Sequence, residues 1–206
     1  MKYRVLNILP DFGTNTYLIF EEKSREAIYI DPAAPDQKLI DLVHNLNLKL
    51  ISIINTHGHG DHIAGNDLVK KAFDVPIYIH KKDAEMLIDP KKNLSIFWGH
   101  NVVSPPADRF LGNDDEIKLG DETLKVIHTP GHTQGGICLI CKDFLVSGDT
   151  LFQEGIGRTD LPGGNYEQLL KSINEHLLIL PDSTVVLPGH GPETTIGDEK
   201  MLNPFL

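Results

Sequence analysis

Short apolar runs and helix-spaced apolar residues divide the chain into strands and helices. Val5–Leu9, Thr16–Phe20 and Ala27–Ile30 are short apolar runs bounded by turn-forming or charged residues, which predicts three strands. Apolar residues at helical spacing predict a helix over Asp36–Leu46, and the near-continuous apolar run Leu50–Ile54 is typical of a strand buried on both faces. The same patterns predict helices over Ala64–Phe73, Lys82–Ile88 and Tyr166–Leu178, and strands over Val75–Ile79, Ile117–Leu119, Leu124–His128, Ile137–Ile140, Phe144–Val146 and Thr184–Leu187.

This order of elements predicts an α/β protein in which helices cover sheets, because runs of strands have helices between and after them. No low-complexity tract and no linker rich in proline, glycine or serine divides the chain, so we expect one domain over residues 1–206. The irregular stretch Asp89–Arg109 is long enough to form a functional loop or lid.

Composition and charge narrow the classes of function. The net charge of −10 argues against binding to nucleic acid or to an anionic membrane, because such binding depends on neutralising phosphates. The first apolar stretch is interrupted by Asn7 and ends at Pro10, which is too short for a secretory signal or a membrane span. Two cysteines, Cys138 and Cys141, form no disulfide framework, so we expect a cytoplasmic protein with structural thiols.

The segment that follows the strand Leu50–Ile54 concentrates metal-ligating side chains. It places His57, His59, Asp61 and His62 within six residues, with glycines between them. Residues two apart in an extended segment project to the same side, so the first two histidines can share one ion while the other two side chains face a neighbouring position. Imidazole and carboxylate groups are ligands that suit zinc and its divalent neighbours.

Three further candidates each follow a predicted strand and lie beside a glycine: His132, Asp149 and His190. Ligands gather at the strand ends of covered sheets, so we expect these side chains to join the first four. The remaining histidines are expected to be packing or surface residues, and His100 alone is a candidate for a substrate contact; they are His44, His80, His100, His128 and His176.

The pattern H-x-H-x-D-H, followed by a distant His, an Asp and a final His, resembles the metallo-β-lactamase fold superfamily. Within it, the segments GDTLF (148–152) and GIGRTD (155–160) are similar to the glyoxalase II branch and to the related persulfide dioxygenases. The likeness extends from Asn15-Thr16-Tyr17 and Ile30-Asp31-Pro32 to Gly189-His190. It implies an αββα sandwich with a metal site along one edge, between two sheets.

The resemblance also implies two divalent cations, with zinc expected and iron or manganese as alternatives. One ion would be held by His57, His59 and His132, and the other by Asp61, His62 and His190, with Asp149 as the bridge. Two adjacent cations lower the pKa of a shared water towards 7, which supplies a bridging hydroxide at neutral pH. Asp61 would also act as the catalytic residue that holds and relays the proton of this water.

The implied activity is hydrolysis of a small-molecule thioester linked to glutathione, S-lactoylglutathione in particular. The long type of glyoxalase II carries a C-terminal helical domain that grips glutathione, whereas only Gly191 to Leu206 follow His190 here. Pro192 stands where that type has a tyrosine. Arg158 matches a basic position of the family and is the candidate substrate contact, with a surface ion pair to Asp160 as the alternative. Asp31 either orients a metal ligand from behind or caps the following helix.

Two other functions remain open from the sequence. A mononuclear iron persulfide dioxygenase would use the positions of His57, His132 and Asp149, an arrangement that resembles the facial triad of non-haem iron oxygenases. A non-catalytic metal-binding protein is the other alternative, although such proteins usually lose ligands. True β-lactamases are exported, and the chain shows no export signal, so we do not expect one. The sequence leaves the oligomeric state open.

Overall fold

The computed structural model describes residues 1–206 and contains fourteen strands and five α-helices. The strands are β1 (Lys2–Leu9), β2 (Thr14–Phe20), β3 (Glu26–Ile30), β4 (Lys49–Ile54), β5 (Ile77–His80), β6 (Arg109–Leu111), β7 (Glu116–Leu119), β8 (Glu122–His128), β9 (Ile137–Ile140), β10 (Phe144–Gly148), β11 (Leu151–Phe152), β12 (Gly155–Ile156), β13 (Val185–Pro188) and β14 (Thr194–Thr195). The helices are α1 (Lys38–Asn45), α2 (Gly60–Ile63), α3 (Asn66–Phe73), α4 (Tyr166–Ser172) and α5 (Ile196–Leu202). Two 3₁₀ turns cover Lys81–Met86 and Ser95–Trp98, and a π-helical turn covers Ile173–Leu177.

Twelve of the strands form two six-stranded sheets. The first sheet has the order β1-β2-β3-β4-β5-β6, antiparallel up to β3 and parallel from β3 to β6. The second has the order β14-β13-β10-β9-β8-β7, in which only β10 and β13 are parallel. Strands β11 and β12 pair separately as a short hairpin. Parallel neighbours end at the same edge of their sheet, which prepares that edge to collect side chains from successive loops.

Strand β2 shows how the apolar pattern builds the layers. Because successive side chains of a strand point to opposite faces, Tyr17 and Ile19 enter the core between the sheets while Leu18 and Phe20 pack towards the helices. Helices α1 and α3 cover the outer face of the first sheet, and α4 and α5 cover that of the second. The expected four-layer αββα sandwich is therefore confirmed.

Most predicted elements occur within a few residues of their expected positions, and the exceptions are short. The predicted helix Lys82–Ile88 is the 3₁₀ turn Lys81–Met86, and the predicted helix Tyr166–Leu178 is α4 continued by the π-helical turn. The unpredicted elements are β6, β11, β12, β14, α2 and α5. The irregular stretch Asp89–Arg109 contains the 3₁₀ turn Ser95–Trp98.

Two further observations concern the thiols and the helices. Cys138 and Cys141 are free and buried, in agreement with structural thiols. None of the helices combines the length and the apolar character that a membrane crossing requires.

Candidate metal centre

Four loops at one edge of the sandwich carry all seven candidate ligands. The loop after β4 and the helix α2 carry His57, His59, Asp61 and His62, while the loops after β8, β10 and β13 carry His132, Asp149 and His190. The parallel register of β10 and β13 aligns Gly148 with Pro188, which brings the last two ligands side by side. Residue 189 has to be glycine, because a Cβ there would collide with the Asp149 carboxylate.

Three histidines form the first ligand group, His57, His59 and His132. One ring nitrogen from each lies within 4.8 Å of the others, and His132 Nε2 is 2.9 Å from His59 Nδ1. All three side chains are buried. Three nitrogen ligands leave a coordination position open, which is the arrangement of catalytic rather than structural zinc sites.

The second ligand group consists of Asp61, His62 and His190, again with ligand atoms within 4.8 Å of one another. The two Nε2 atoms are 3.2 Å apart, and Asp61 Oδ2 lies 3.5 Å from His62 Nε2 and 3.4 Å from His190 Nε2. The hydroxyl of Thr14 donates to the same carboxylate oxygen at 3.0 Å and fixes its orientation. This group adds an oxygen ligand to two nitrogens.

Asp149 lies between the two groups. Its Oδ1 is 3.4 Å from His62 Nε2, and its Oδ2 is 3.5 Å from His132 Nε2 and 3.3 Å from His190 Nε2. One carboxylate therefore contacts ligands of both groups, which is the position a bridging ligand needs.

Hydrogen bonds on the far side of the rings fix which nitrogen faces the centre. Three ligands direct Nδ1 at an acceptor outside the cluster. His62 Nδ1 lies 3.0 Å from the Asp31 carboxylate, His132 Nδ1 lies 2.8 Å from the Arg158 carbonyl, and His190 Nδ1 lies 2.9 Å from the Phe12 carbonyl. Because carbonyl and ionised carboxylate oxygens can only accept, Nδ1 carries a proton in all three rings. Nε2 therefore faces the centre, where it can bind a proton or a metal ion. The Nε2 atoms of His62 and His190 are 3.2 Å apart, and as bare lone pairs they would repel each other unless a proton or a metal ion lay between them.

The buried polar atoms support the same conclusion. Four buried side-chain atoms in the protein lack a hydrogen-bond partner, and three of them belong to this cluster: His57 Nε2, His59 Nε2 and Asp149 Oδ1. An unpartnered buried polar atom is costly and rare, so the concentration of such atoms here needs a partner of another kind. His57 Nε2 and Asp149 Oδ1 can each bind a cation, whereas His59 faces the first ligand group with its other nitrogen, Nδ1, 2.9 Å from His132 Nε2. The donor set therefore fits divalent cations.

Charge and burial act in opposite directions within the centre. Burial holds the pKa values of His57 and His59 well below 6.5, so both rings are neutral and able to bind a metal. Burial also opposes charge on His62, but Asp61, Asp149 and Asp31 outweigh it and raise its pKa to about 10. The carboxylates thus attract positive charge to this spot, as a proton or as a metal ion.

The centre lies at the floor of a cavity of about 530 Å³. Phe12 and Trp98 form one wall, with ring centroids 4.4 Å apart, and Leu161 contributes a further apolar surface. Trp98 packs closely against Gly60, at the start of α2. A Cβ on Gly60 would lie only 3.0 Å from the Trp98 ring. A small organic substrate could therefore contact both the ligands and an apolar wall.

The two weaker candidates also lie at the centre. Asp31 is buried and contacts His62 and Thr56 rather than capping a helix: its Oδ1 accepts from the Thr56 N–H (2.8 Å) and its Oδ2 from the Thr56 hydroxyl (2.6 Å). Arg158 lines the cavity, and its exposed guanidinium makes two bonds to Asp160 at 2.8 and 2.7 Å. Arg158 therefore makes the surface ion pair with Asp160 and also lies where it could contact a substrate in the cavity.

The other five histidines lie outside the ligand cluster. His80 and His128 stack on each other at 4.1 Å, and His44 packs against Phe73. His100 lines a neighbouring apolar cavity rather than the one above the ligands. His176 lies in a surface groove.

Sequence reasoning missed Phe12, Thr14 and Trp98 as parts of the site. Phe12 acts through its backbone carbonyl, which no sequence pattern distinguishes. The turn Asp11-Phe12-Gly13 and the lone tryptophan in the irregular stretch were the available signals.

Comparison with known proteins gives a consistent result. The family model described as "Metallo-beta-lactamase superfamily" matches residues 9–190. "Probable metallo-hydrolase YqgX" of Bacillus subtilis is 40% identical, covering 100% of this chain and 98% of that protein. "Hydroxyacylglutathione hydrolase GloC" of Haemophilus influenzae is 39% identical, covering 98% and 97%.

A solved structure, "BLEG-1 B3 metallo-beta-lactamase", is also similar to this chain. It superposes with a TM-score of 0.94 at 39% identity, covering 100% of this chain and 99% of that one. The resemblance drawn from the motifs is thereby confirmed, and the chain belongs to the metallo-beta-lactamase superfamily.

Proposed function

We propose that the protein hydrolyses acyl-glutathione thioesters with the help of two divalent cations, zinc by preference. The observation that carries the proposal is the pair of ligand groups on either side of Asp149, at the floor of a cavity of about 530 Å³. The similarity to a hydroxyacylglutathione hydrolase over nearly the whole chain supports the choice of substrate.

The second ligand group favours two ions over a mononuclear iron centre. A dioxygenase that used His57, His132 and Asp149 would leave Asp61, His62 and His190 without a cation, with two Nε2 atoms 3.2 Å apart. Three carboxylates face the ligand cluster, Asp31, Asp61 and Asp149, and together they balance most of the charge of two dications. The donor set is therefore better used by two ions than by one.

When bound, the cations would lower the pKa of a shared water and polarise the thioester carbonyl. Asp61 lines the cavity, and Thr14 holds its Oδ2, so the carboxylate is placed to accept the proton that the attacking water releases. Water adds to the carbonyl carbon and the carbon–sulfur bond breaks, giving a carboxylate and a thiol. A thiol pKa of about 8.5 makes the thiolate a good leaving group, so a strong acid is unnecessary, and the cavity lining contains no lysine or tyrosine.

Arg158 is the one lysine or arginine that lines the cavity, and we assign it to a carboxylate of the glutathione moiety. A substrate carboxylate would displace Asp160 from the guanidinium, which is feasible because both side chains are exposed. Phe12 and Trp98 provide apolar surface for the rest of the substrate. We further place the protein in the cytoplasm, whose reducing thiol pool is compatible with its two free cysteines.

A substrate panel on protein of known metal content tests the proposal. We expect two divalent ions per chain. We also expect hydrolysis of S-lactoylglutathione, which is measured as a loss of thioester absorbance. One iron per chain, together with oxygen consumption on glutathione persulfide, would establish the dioxygenase alternative instead. Two ions without any thioesterase activity would refute the choice of substrate.

A β-lactam belongs in the same panel. The observation that favours this second candidate is the full-length similarity to a solved structure named as a B3 metallo-beta-lactamase. Hydrolysis of a β-lactam with higher kcat/KM than any thioester would make β-lactam cleavage the better description of the activity.

A further inference from the structure

Asp83 is a buried carboxylate outside the ligand set. Asp83 lies in the 3₁₀ turn Lys81–Met86 that follows β5, and only 1% of the residue is exposed to solvent. Its Oδ2 accepts from the Thr133 hydroxyl (2.6 Å) and the Gly58 N–H (3.3 Å), and its Oδ1 accepts from the Gly135 N–H (2.7 Å). Three donors thus compensate for burying the charge, which would otherwise be expensive.

The donors belong to the two loops that carry the first ligand group. Gly58 lies between His57 and His59, and Thr133 directly follows His132. The two loops come from different sheets, since one follows β4 and the other follows β8. The backbone contributes a further bond between these regions, from the Ile137 N–H to the Thr56 carbonyl (2.9 Å). The Asp83 carboxylate therefore joins two loops whose relative position sets the spacing of three ligands.

The fit around Asp83 is steric as well as polar. A Cβ on Gly135 would lie 2.6 Å from Asp83 Oδ1, and a Cβ on Gly58 would lie 2.5 Å from Met86 Cβ and 3.1 Å from the Asp83 carbonyl oxygen. Only glycine at both positions lets the turn approach the two loops this closely. The 3₁₀ turn is thus wedged between them.

We propose that Asp83 is a positioning residue for the first metal site, and that it fixes the His57–His59 loop against the His132 loop. This inference rests on the proposed binding of two metal ions but not on the substrate. Outer partners of metal ligands contribute about 10–100-fold to metal affinity, and Asp83 reaches its ligands through the backbone and a neighbouring hydroxyl. The second ligand group is held by Asp31, Thr14 and the Phe12 carbonyl, and none of the hydrogen bonds of Asp83 goes to it.

Asp83→Asn tests the inference, because the amide places an N–H group against one of the donors that the carboxylate accepts from. Each ligand group is isolated first: Asp61→Ala leaves the first group intact, and His59→Ala leaves the second intact. Zn²⁺ affinity is then measured by competition with a chromophoric chelator, with and without Asp83→Asn. We expect a loss of about 10–100-fold in the Asp61→Ala background and a change of less than about twofold in the His59→Ala background.

Two further variants keep the test decisive. Asp108→Asn is the matched control, because this aspartate also holds a backbone N–H, that of Ile77 (2.8 Å), at a position outside the metal centre; it should leave both affinities unchanged. Thr133→Val removes one of the three bonds and should weaken the first site in the same direction, even where Asp83→Asn does not fold. Equal losses at both sites, or no loss at the first, would overturn the proposal, as would a chain that binds no Zn²⁺. A chain that binds two ions but hydrolyses no thioester would refute the proposed substrate alone.

Discussion

Replacing Asp31 by asparagine changes one hydrogen bond to a metal ligand while preserving the shape of the site. Asp31 has a φ of +50°, a conformation that asparagine tolerates better than most residues, so the backbone should not move. The amide oxygen can still accept from the Thr56 N–H, as Oδ1 does now at 2.8 Å. The amide nitrogen then replaces Oδ2, which lies 3.0 Å from His62 Nδ1 and also accepts from the Thr56 hydroxyl (2.6 Å). That hydroxyl can rotate and accept from the new N–H group.

The magnitude follows from the tautomer of His62. An amide N–H cannot accept the proton of His62 Nδ1, so the ring is favoured in the other tautomer, with its proton on Nε2. That nitrogen faces His190 at 3.2 Å and is the one that would bind the second ion. We therefore expect metal affinity at the second site to fall by about 10–100-fold, which corresponds to about 1.4–2.8 kcal/mol.

The assay is the number and affinity of bound Zn²⁺ ions, measured by mass spectrometry and by chelator competition. Asp74→Asn is the matched control, because Asp74 also has a φ of +50° but is exposed at the end of α3, away from the ligands. The control should bind both ions with wild-type affinity. Asp31→Asn protein that also binds both ions with wild-type affinity would refute the argument from the tautomer.

Three other predictions concern the bridge, the substrate and pH. Asp149→Ala should remove most turnover and leave fewer than two ions per chain by mass spectrometry, because the carboxylate that separates two cations is lost; full occupancy with normal turnover would contradict this. Arg158→Ala should raise KM for glutathione thioesters several-fold at nearly constant kcat and leave a small thioester unaffected, whereas equal losses of kcat would mean that the side chain supports the metal site. In chelator-treated protein, protonated His62, with a pKa of about 10, stabilises the fold fully below pH 6.5, and this stabilisation is lost between pH 6.5 and 10. His57 and His59 have pKa values below 6.5, so stability also falls as the pH drops below 6.5. The melting temperature should therefore peak near pH 6.5, and a monotonic profile would contradict the assignment.

The layers of the fold were predictable because they depend on local periodicity. Alternation in β2 and helical spacing in α1 specify which side chains face the core, and these patterns are visible within a dozen residues. The short strands β6 and β14 were not predictable, since they have only three and two residues. In addition, β6 pairs with β5, which is distant in sequence. Their status as strands depends on the neighbour that accepts their hydrogen bonds.

The seven candidate ligands could be identified for a similar reason. Histidine and aspartate have few roles beside glycines at strand ends, so their identity and spacing already indicated metal chemistry. Which ligands share an ion came from the family resemblance, and the structure brings the same groups together.

The tertiary structure alone decided how the ligands are held. The carbonyl that receives the His190 N–H belongs to Phe12, 178 positions away, and every residue of the chain carries such a carbonyl. Asp83 reaches Gly135 across 52 positions, and its sequence surroundings resemble those of any surface turn. The sequence determined which side chains can bind metal because that property is carried by single residues. The structure determined their orientation and protonation, because these depend on hydrogen-bond partners that only folding brings within reach.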